Sequence, residues 1–368
     1  MKDARIEKLA DILVDYSVEV KKGDLLRIVG SSVAEPLIMA IYRRCLERGA
    51  HTSTRVTLPD METAYFRYAG DEQLDFIWPP DKWLQENLDA SFHILASTNT
   101  RALSGTDPDK QARRGRATKE LHDIYFRRSA EGDYRWNVTL YPTEAYAMDA
   151  EMSLDEYEDF FFGACLVDAK DPVAEWRKLA EHNTRVVEWM KGRNEVHIEG
   201  DGTDLTLEVG GRTFIPSDGH NNFPDGEFFT GPIEDRTRGH VTFTYPAIFR
   251  GVLIEGIRLE FDRGRVVGAS ATRNEEVLVN RLDTDEGART LGELGIGTNY
   301  GVTRFSGEGL LDEKIGGTFH LAVGASYPET GGVNESAIHW DMVCDLRNGG
   351  RITVDGDALM EDGRLLVE

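Results

Sequence analysis

Cysteine is scarce. In 368 residues the chain has Cys45, Cys165 and Cys344, far apart and without paired spacing. That excludes a disulfide framework as the organising device. Long apolar runs are also missing: stretches such as Pro36-Leu37-Ile38-Met39-Ala40-Ile41-Tyr42 fall far below the ~20 residues that a membrane span requires. Positive charge is outweighed, 42 Lys and Arg against 65 Asp and Glu, for a net charge of −23. Neutralising phosphates takes basic clusters that this chain lacks, so neither nucleic acid nor a membrane is an expected partner. The first strand-to-helix turn, Gly30-Ser31-Ser32-Val33-Ala34-Glu35-Pro36, has no repeated glycines of the dinucleotide type. The opening Met1-Lys2-Asp3-Ala4-Arg5-Ile6-Glu7-Lys8 lacks the apolar centre of a secretory signal, which sets the cytoplasm as the expected location.

What remains is a chain long enough for two domains, with 40% hydrophobic residues to build their cores. Its first half alternates helix and strand. Ile6, Leu9, Ile12, Leu13 and Tyr16 form a helical stripe, and Leu25–Gly30, Thr52–Leu58 and Ala90–Ala96 read as short strands, with a helix over Ala34–Glu47 between the first two. Strand-helix-strand order implies a parallel sheet with helices on its faces. From Met152 to Lys191 the pattern is helical, with a helix opening at Asp171-Pro172. Beyond Asn194 it changes to short alternating runs: Val196–Gly200, Thr206–Val209, Val241–Tyr245 and Ile257–Phe261. Gly210-Gly211 reads as a hairpin turn, Glu275–Leu282 as a helix, and a further helix is expected to start near Glu286. The expected fold is α/β: an N-terminal α/β domain with a parallel sheet and helical connector (1–194), then a C-terminal mixed, β-rich metal-binding domain (195–368).

The chemistry gathers in that second part. His339-Trp340-Asp341 sets an imidazole and a carboxylate two residues apart in a strand-like run, and alternate residues of an extended chain share a face. Cys344 falls on the opposite face by the same parity and reads as a buried structural thiol. Further candidates lie in Phe319-His320-Leu321-Ala322-Val323-Gly324, Tyr327-Pro328-Glu329, Leu291-Gly292-Glu293-Leu294-Gly295 and Pro224-Asp225-Gly226-Glu227. Singly, each has a bland reading: His320 as a packed histidine, Glu293 as a helix-capping residue, Tyr327 as a turn aromatic. Together, two histidines and three carboxylates suit two divalent cations better than one.

These segments resemble the thermophilic aminopeptidase family, the aminopeptidase T and aminopeptidase S group. Its members carry a glutamate after a Pro-x-Gly turn, a Gly-Glu-Leu-Gly run, a His ahead of a Tyr-Pro pair, and a terminal His-x-Asp. The resemblance implies a dinuclear centre of zinc, cobalt or manganese with Glu227, Glu293, His320, His339 and Asp341 as ligands and Tyr327 beside it. It is close from about Val196 onward and general before that. The stretch between Glu293 and His320, which includes Glu313, differs in length from well-known members.

The activity so implied is removal of the N-terminal residue from short peptides with a free N-terminus, through a metal-bridging hydroxide, by a homodimer. Tyr327 would donate to the developing oxyanion. Glu313, preferred to Glu329, would carry the proton from water to the leaving amine. Two alternatives stand beside it. One is a mononuclear iron ring-cleaving dioxygenase of the dihydroxypyridine type, using His320, His339 and Asp341. The other is a non-catalytic peptide-binding dimer. His220 is a further candidate to line the cleft near Glu227.

Overall fold

The computed structural model describes residues 3–249 and 251–367. The chain divides into two compact units, Met1–Val173 with His220–Phe223, and Ala174–Gly219 with Pro224–Glu368.

The first unit is built on a parallel sheet whose central strand, Leu25–Ser31, pairs with His51–Thr57 on one side and Ala90–Leu95 on the other. Arg135–Leu140 and then Asn222–Phe223 extend it, also in parallel. Leu26, Ile28 and Phe92 are fully buried, whereas His51–Thr57 is exposed along most of its length, as an edge strand can be. The Glu35–Arg48 helix carries Pro36 in its first turn and ends at Gly49 in the left-handed conformation. Between the third and fourth strands runs a 23-residue helix, Pro108–Ala130, that is predominantly polar. Its weak apolar stripe left no periodic signal in the sequence. Among the described residues no helix is long and apolar enough to cross a membrane.

The strands of the second unit pair antiparallel, so the β-rich expectation holds. An eight-stranded sheet contains Glu195–Gly200, Thr203–Glu208, Arg238–Thr242 and Arg258–Asp262; a five-stranded sheet runs, in spatial order, His339–Asp345, Thr318–Gly324, Leu291–Gly297, Glu227–Thr230 and Ile215–Ser217. The two share one hydrophobic core. Val196, Ile198, Leu205 and Leu207 from the larger sheet join Phe228, Leu294, Ile296, Phe319, Leu321, Val323, Trp340 and Met342 from the smaller. Because side chains alternate along a strand, the partners of those residues lie on the other face of the smaller sheet. They are Glu227, Glu293, Gly295, His320, His339 and Asp341. Cys344 is on the core side, with its Sγ 3.5 Å from the Thr242 carbonyl.

Two local readings are corrected. Gly210-Gly211 makes a turn, closed by Arg212 N–H on the Val209 carbonyl, but it carries the chain from one sheet to the other. The hairpin of Glu195–Gly200 with Thr203–Glu208 closes instead at Asp201-Gly202. Near Glu286 there is only a single 3-10 turn, Gly287–Arg289. Leu291 already enters the sheet, which leaves no room for a helix, so Glu293 lies mid-strand rather than at a helix end. The Glu275–Leu282 helix is as read.

Phe319 fills this shared core, fully buried. Phe319→Ala should lower the unfolding free energy by about 3–5 kcal/mol, read as a lower urea midpoint at unchanged slope.

Candidate functional site

Four neighbouring strands deliver the five candidate donors. Gly297 pairs with Glu227, Gly295 with His320, Ala322 with Asp341 and Gly324 with His339, and an irregularity in register between Leu291 and Glu293 adjusts how Glu293 is presented. The small residues opposite the donors leave room for them. At Gly295 the room is filled by the imidazole itself: a Cβ there would lie 2.0 Å from His320 Cε1 and 2.2 Å from Nε2, so any side chain at this position would displace the ring. Gly226, ahead of Glu227, has φ +118°, and a Cβ would stand 2.8 Å from that of Asn299. The Pro-Asp-Gly turn can therefore close only with glycine. Asn183 Nδ2 then donates to the Glu227 carbonyl at 3.0 Å, fixing the strand's start.

Glu293 is the middle of the cluster. Its Oε1 is 3.4 Å from His320 Nε2 and its Oε2 is 3.1 Å from His339 Nε2. On one flank Glu227 Oε2 lies 3.5 Å from His320 Nε2; on the other Asp341 Oδ2 lies 3.6 Å from His339 Nε2. The donors therefore form two groups, Glu227-Glu293-His320 and Glu293-His339-Asp341, each with ligand atoms within 4.8 Å of one another. His339 Nδ1 donates to the Ala325 carbonyl at 2.8 Å, which turns Nε2 inward. Glu227 Oε2, Asp341 Oδ1 and His320 Nδ1 are buried without a hydrogen-bond partner among the described residues. Orphaned carboxylate oxygens are costly. Beside imidazoles, such oxygens fit a borderline divalent cation, so this donor set suits the metal ions considered above.

Electrostatics agree with the geometry. Burial raises Glu227 to about 7 against the opposing Lys314 and His320. For Glu293 burial works upward too, but hydrogen bonds from His320 and His339 outweigh it and hold the carboxyl near 2. Both histidines would be lowered by burial, yet the carboxylates raise His320 to about 9 and His339 to about 11.

Tyr327 and Glu313 stand at the edge of this cluster. The Tyr327 ring is 4.9 Å from that of His339 and 5.5 Å from that of Phe229, between centroids. Burial, then the surrounding carboxylates, raise its pKa, so the phenol keeps its proton. Glu313 follows the short Gly309–Asp312 helix, where Asp312 Oδ1 accepts from Ser306 N and Oγ at 2.7 and 2.8 Å. Burial raises Glu313 as well, with Asp341 and Glu293 adding to it and Lys314 and His320 opposing. Glu329 is exposed in the Pro328–Thr330 turn. His220 packs against Tyr16 in the first unit, their centroids 4.8 Å apart.

Sequence reasoning passed over Lys314. It is 1% exposed, and among the described residues it is the one lysine or arginine in the buried class. Its Nζ donates to Glu227 Oε1 at 2.5 Å and to Glu313 Oε2 at 3.0 Å, with Asp225 Oδ1 at 4.0 Å. Burial alone would lower its pKa, but Glu227, Glu313 and Asp225 raise it well above the usual value, and the ammonium stays charged. A signal did exist: beyond Lys191 the sequence has no other lysine.

Residues 2–365 match the thermophilic metalloprotease (M29) family. Aminopeptidase T of Thermus thermophilus is 28% identical, over 97% of this chain and 95% of its own. The structure of wild-type AmpT from the same organism superposes with a TM-score of 0.84 at 24% identity, covering 99% of both chains. A 2,5-dihydroxypyridine dioxygenase from Pseudomonas putida shares the fold at a TM-score of 0.60 and 13% identity, over 99% and 97%.

Two outcomes follow. Gly295→Ala should keep the fold by circular dichroism while weakening cation binding by about 10- to 100-fold, because the displaced His320 loses its orientation. In metal-free protein at pH 7 the raised pKa values leave both imidazoles protonated, and a cation accepts only neutral imidazole. Binding should therefore release about two protons per chain from the imidazoles in weak buffer, with a further fraction from Glu227, which is raised to about 7, and affinity should rise as pH approaches 9, the value for His320.

Proposed function

The chain belongs to the thermophilic metalloprotease (M29) family and is a metallo-aminopeptidase, and from that premise we propose that it releases the N-terminal residue of short peptides using two divalent ions. Glu227, Glu293 and His320 would hold one ion, and Glu293, His339 and Asp341 the other. One observation carries this reading: Glu293 belongs to both donor groups and turns a different oxygen to each histidine. When bound, such ions supply Lewis acidity toward the scissile carbonyl, an acidified water and an anchor for a neutral amine.

The chain's own residues do the rest. Tyr327 keeps a phenolic proton beside His339 and donates it as a hydrogen bond to the carbonyl oxygen as negative charge develops there. Glu313 takes the proton from the attacking water and delivers it to the leaving nitrogen, so that one water is consumed and one peptide bond broken. The free N-terminus is required because only a first residue offers an amine next to a scissile carbonyl. Zinc, cobalt and manganese all suit the mixed nitrogen and oxygen donors. The same reading includes a homodimer acting in the cytoplasm.

Ring-cleaving iron chemistry is the weaker reading. A mononuclear two-histidine, one-carboxylate site would leave Glu227 and Glu293 buried in the cluster with no task, although Glu293 is its centre.

The deciding measurement is metal content with activity, on protein stripped and reloaded with zinc, cobalt, manganese or ferrous iron. About two ions per chain, with cleavage of a leucyl amide but not of its N-acetylated form, is expected. One iron per chain, with oxygen uptake on a dihydroxylated ring, would overturn the reading. In the active form Glu313→Gln should lower kcat by about 10²–10⁴; near-normal turnover would remove Glu313 from the mechanism.

A further inference from the structure

The two donor groups are matched in kind: each has one imidazole and two carboxylates, and Glu293 serves both. They differ in what stands behind them. Lys314 occupies one oxygen of Glu227 at 2.5 Å, which leaves Oε2 as the oxygen that Glu227 turns toward His320. Asp341 and His339 have the Ala325 carbonyl behind the imidazole. We propose that Lys314 is a built-in competitor for Glu227 that makes the Glu227-Glu293-His320 group the weaker, exchangeable cation site, with Glu293-His339-Asp341 the tighter one. This rests on the two-ion reading above.

The argument is electrostatic. An ammonium fixed against a carboxylate repels a second cation approaching the same carboxylate, and in a buried site that repulsion is poorly screened. Glu313 and Asp225, at 3.0 and 4.0 Å from Nζ, return part of the negative charge. They share the same ammonium, so removing it strengthens the pull on a cation from all three carboxylates. Lys314 also holds Glu227 in one orientation, an effect of opposite sign on affinity. Measurement of the sign decides between the two.

The test is calorimetric titration of the metal-stripped full chain with zinc, repeated with cobalt to follow each site by its visible absorption. Wild-type protein should bind in two steps. In Lys314→Met the weaker step should tighten by about tenfold or more, with the stronger step unchanged. Lys314→Arg, which keeps the charge, should retain the wild-type separation. If Lys314→Met does not fold, Lys314→Gln carries the same expectation. Two bound ions with the weaker step unchanged or loosened in the uncharged variants would overturn the competitor role and leave the two-ion reading standing. A single step in wild-type protein would overturn both.

Discussion

Five carboxylates with the same charge, Asp225, Glu227, Glu293, Glu313 and Asp341, are gathered around one face of a five-stranded sheet, and the structure depends on how their repulsion is answered. In water such a group would separate. Here Asp225, Glu227 and Glu293 are buried, and isolated buried charge is among the most costly features a fold can contain. The answer within the protein is three cationic groups placed between them. Lys314 serves Asp225, Glu227 and Glu313, while the imidazoles of His320 and His339 serve Glu227, Glu293 and Asp341. On the proposed reading two of these compensators give up their proton to become ligands, while the Lys314 ammonium, its pKa raised by the carboxylates around it, stays charged. The cluster is thus partly fixed and partly exchangeable, which suits the cation site proposed for it.

The sheet makes this possible by its alternation. Every donor on the four strands is flanked by residues that turn into the core shared with the eight-stranded sheet: Phe319 and Leu321 around His320, Trp340 and Met342 around Asp341, Leu294 next to Glu293, Phe228 next to Glu227. Apolar burial on one face anchors the backbone that positions charge on the other. A one-residue slip in any strand would exchange the two faces, so core packing itself sets the register that brings the donors together.

Much of this was legible because strand period is visible in sequence. His339 and Asp341, two apart, and Cys344, off their face, could be read by parity, whereas the Gly-Glu-Leu-Gly run was legible as a family motif and not as the strand it forms. What failed has identifiable causes. Gly210-Gly211 has the residues of a hairpin, but turn chemistry does not say which sheet the next strand joins. The turn near Glu286 carries helix-like acidic residues, and tertiary pairing of Leu291–Gly297 overrides them. Asn222–Phe223 is too short to show a period, and it pairs with Arg135–Leu140 across 80 or more residues of chain. Lys314 escaped because a lysine is expected at the surface, and only knowledge of the three carboxylates around it explains one inside.

A protein named as a 2,5-dihydroxypyridine dioxygenase shares this fold, so architecture alone does not fix chemistry; the M29 family makes this chain a metallo-aminopeptidase, and its donor set carries the two-ion reading proposed above. That reading turns on Glu293. A carboxylate that faces one histidine is a ligand or an orienting partner; one that divides its two oxygens between two histidines defines two positions for charge. Removing Glu293 in thought leaves His320 with Glu227 on one side and His339 with Asp341 on the other, two incomplete sites with nothing common to them. In the proposed two-ion reading, restoring it joins both into a single centre, and the glycine at position 295, across which the His320 ring lies, is what lets that ring reach the junction.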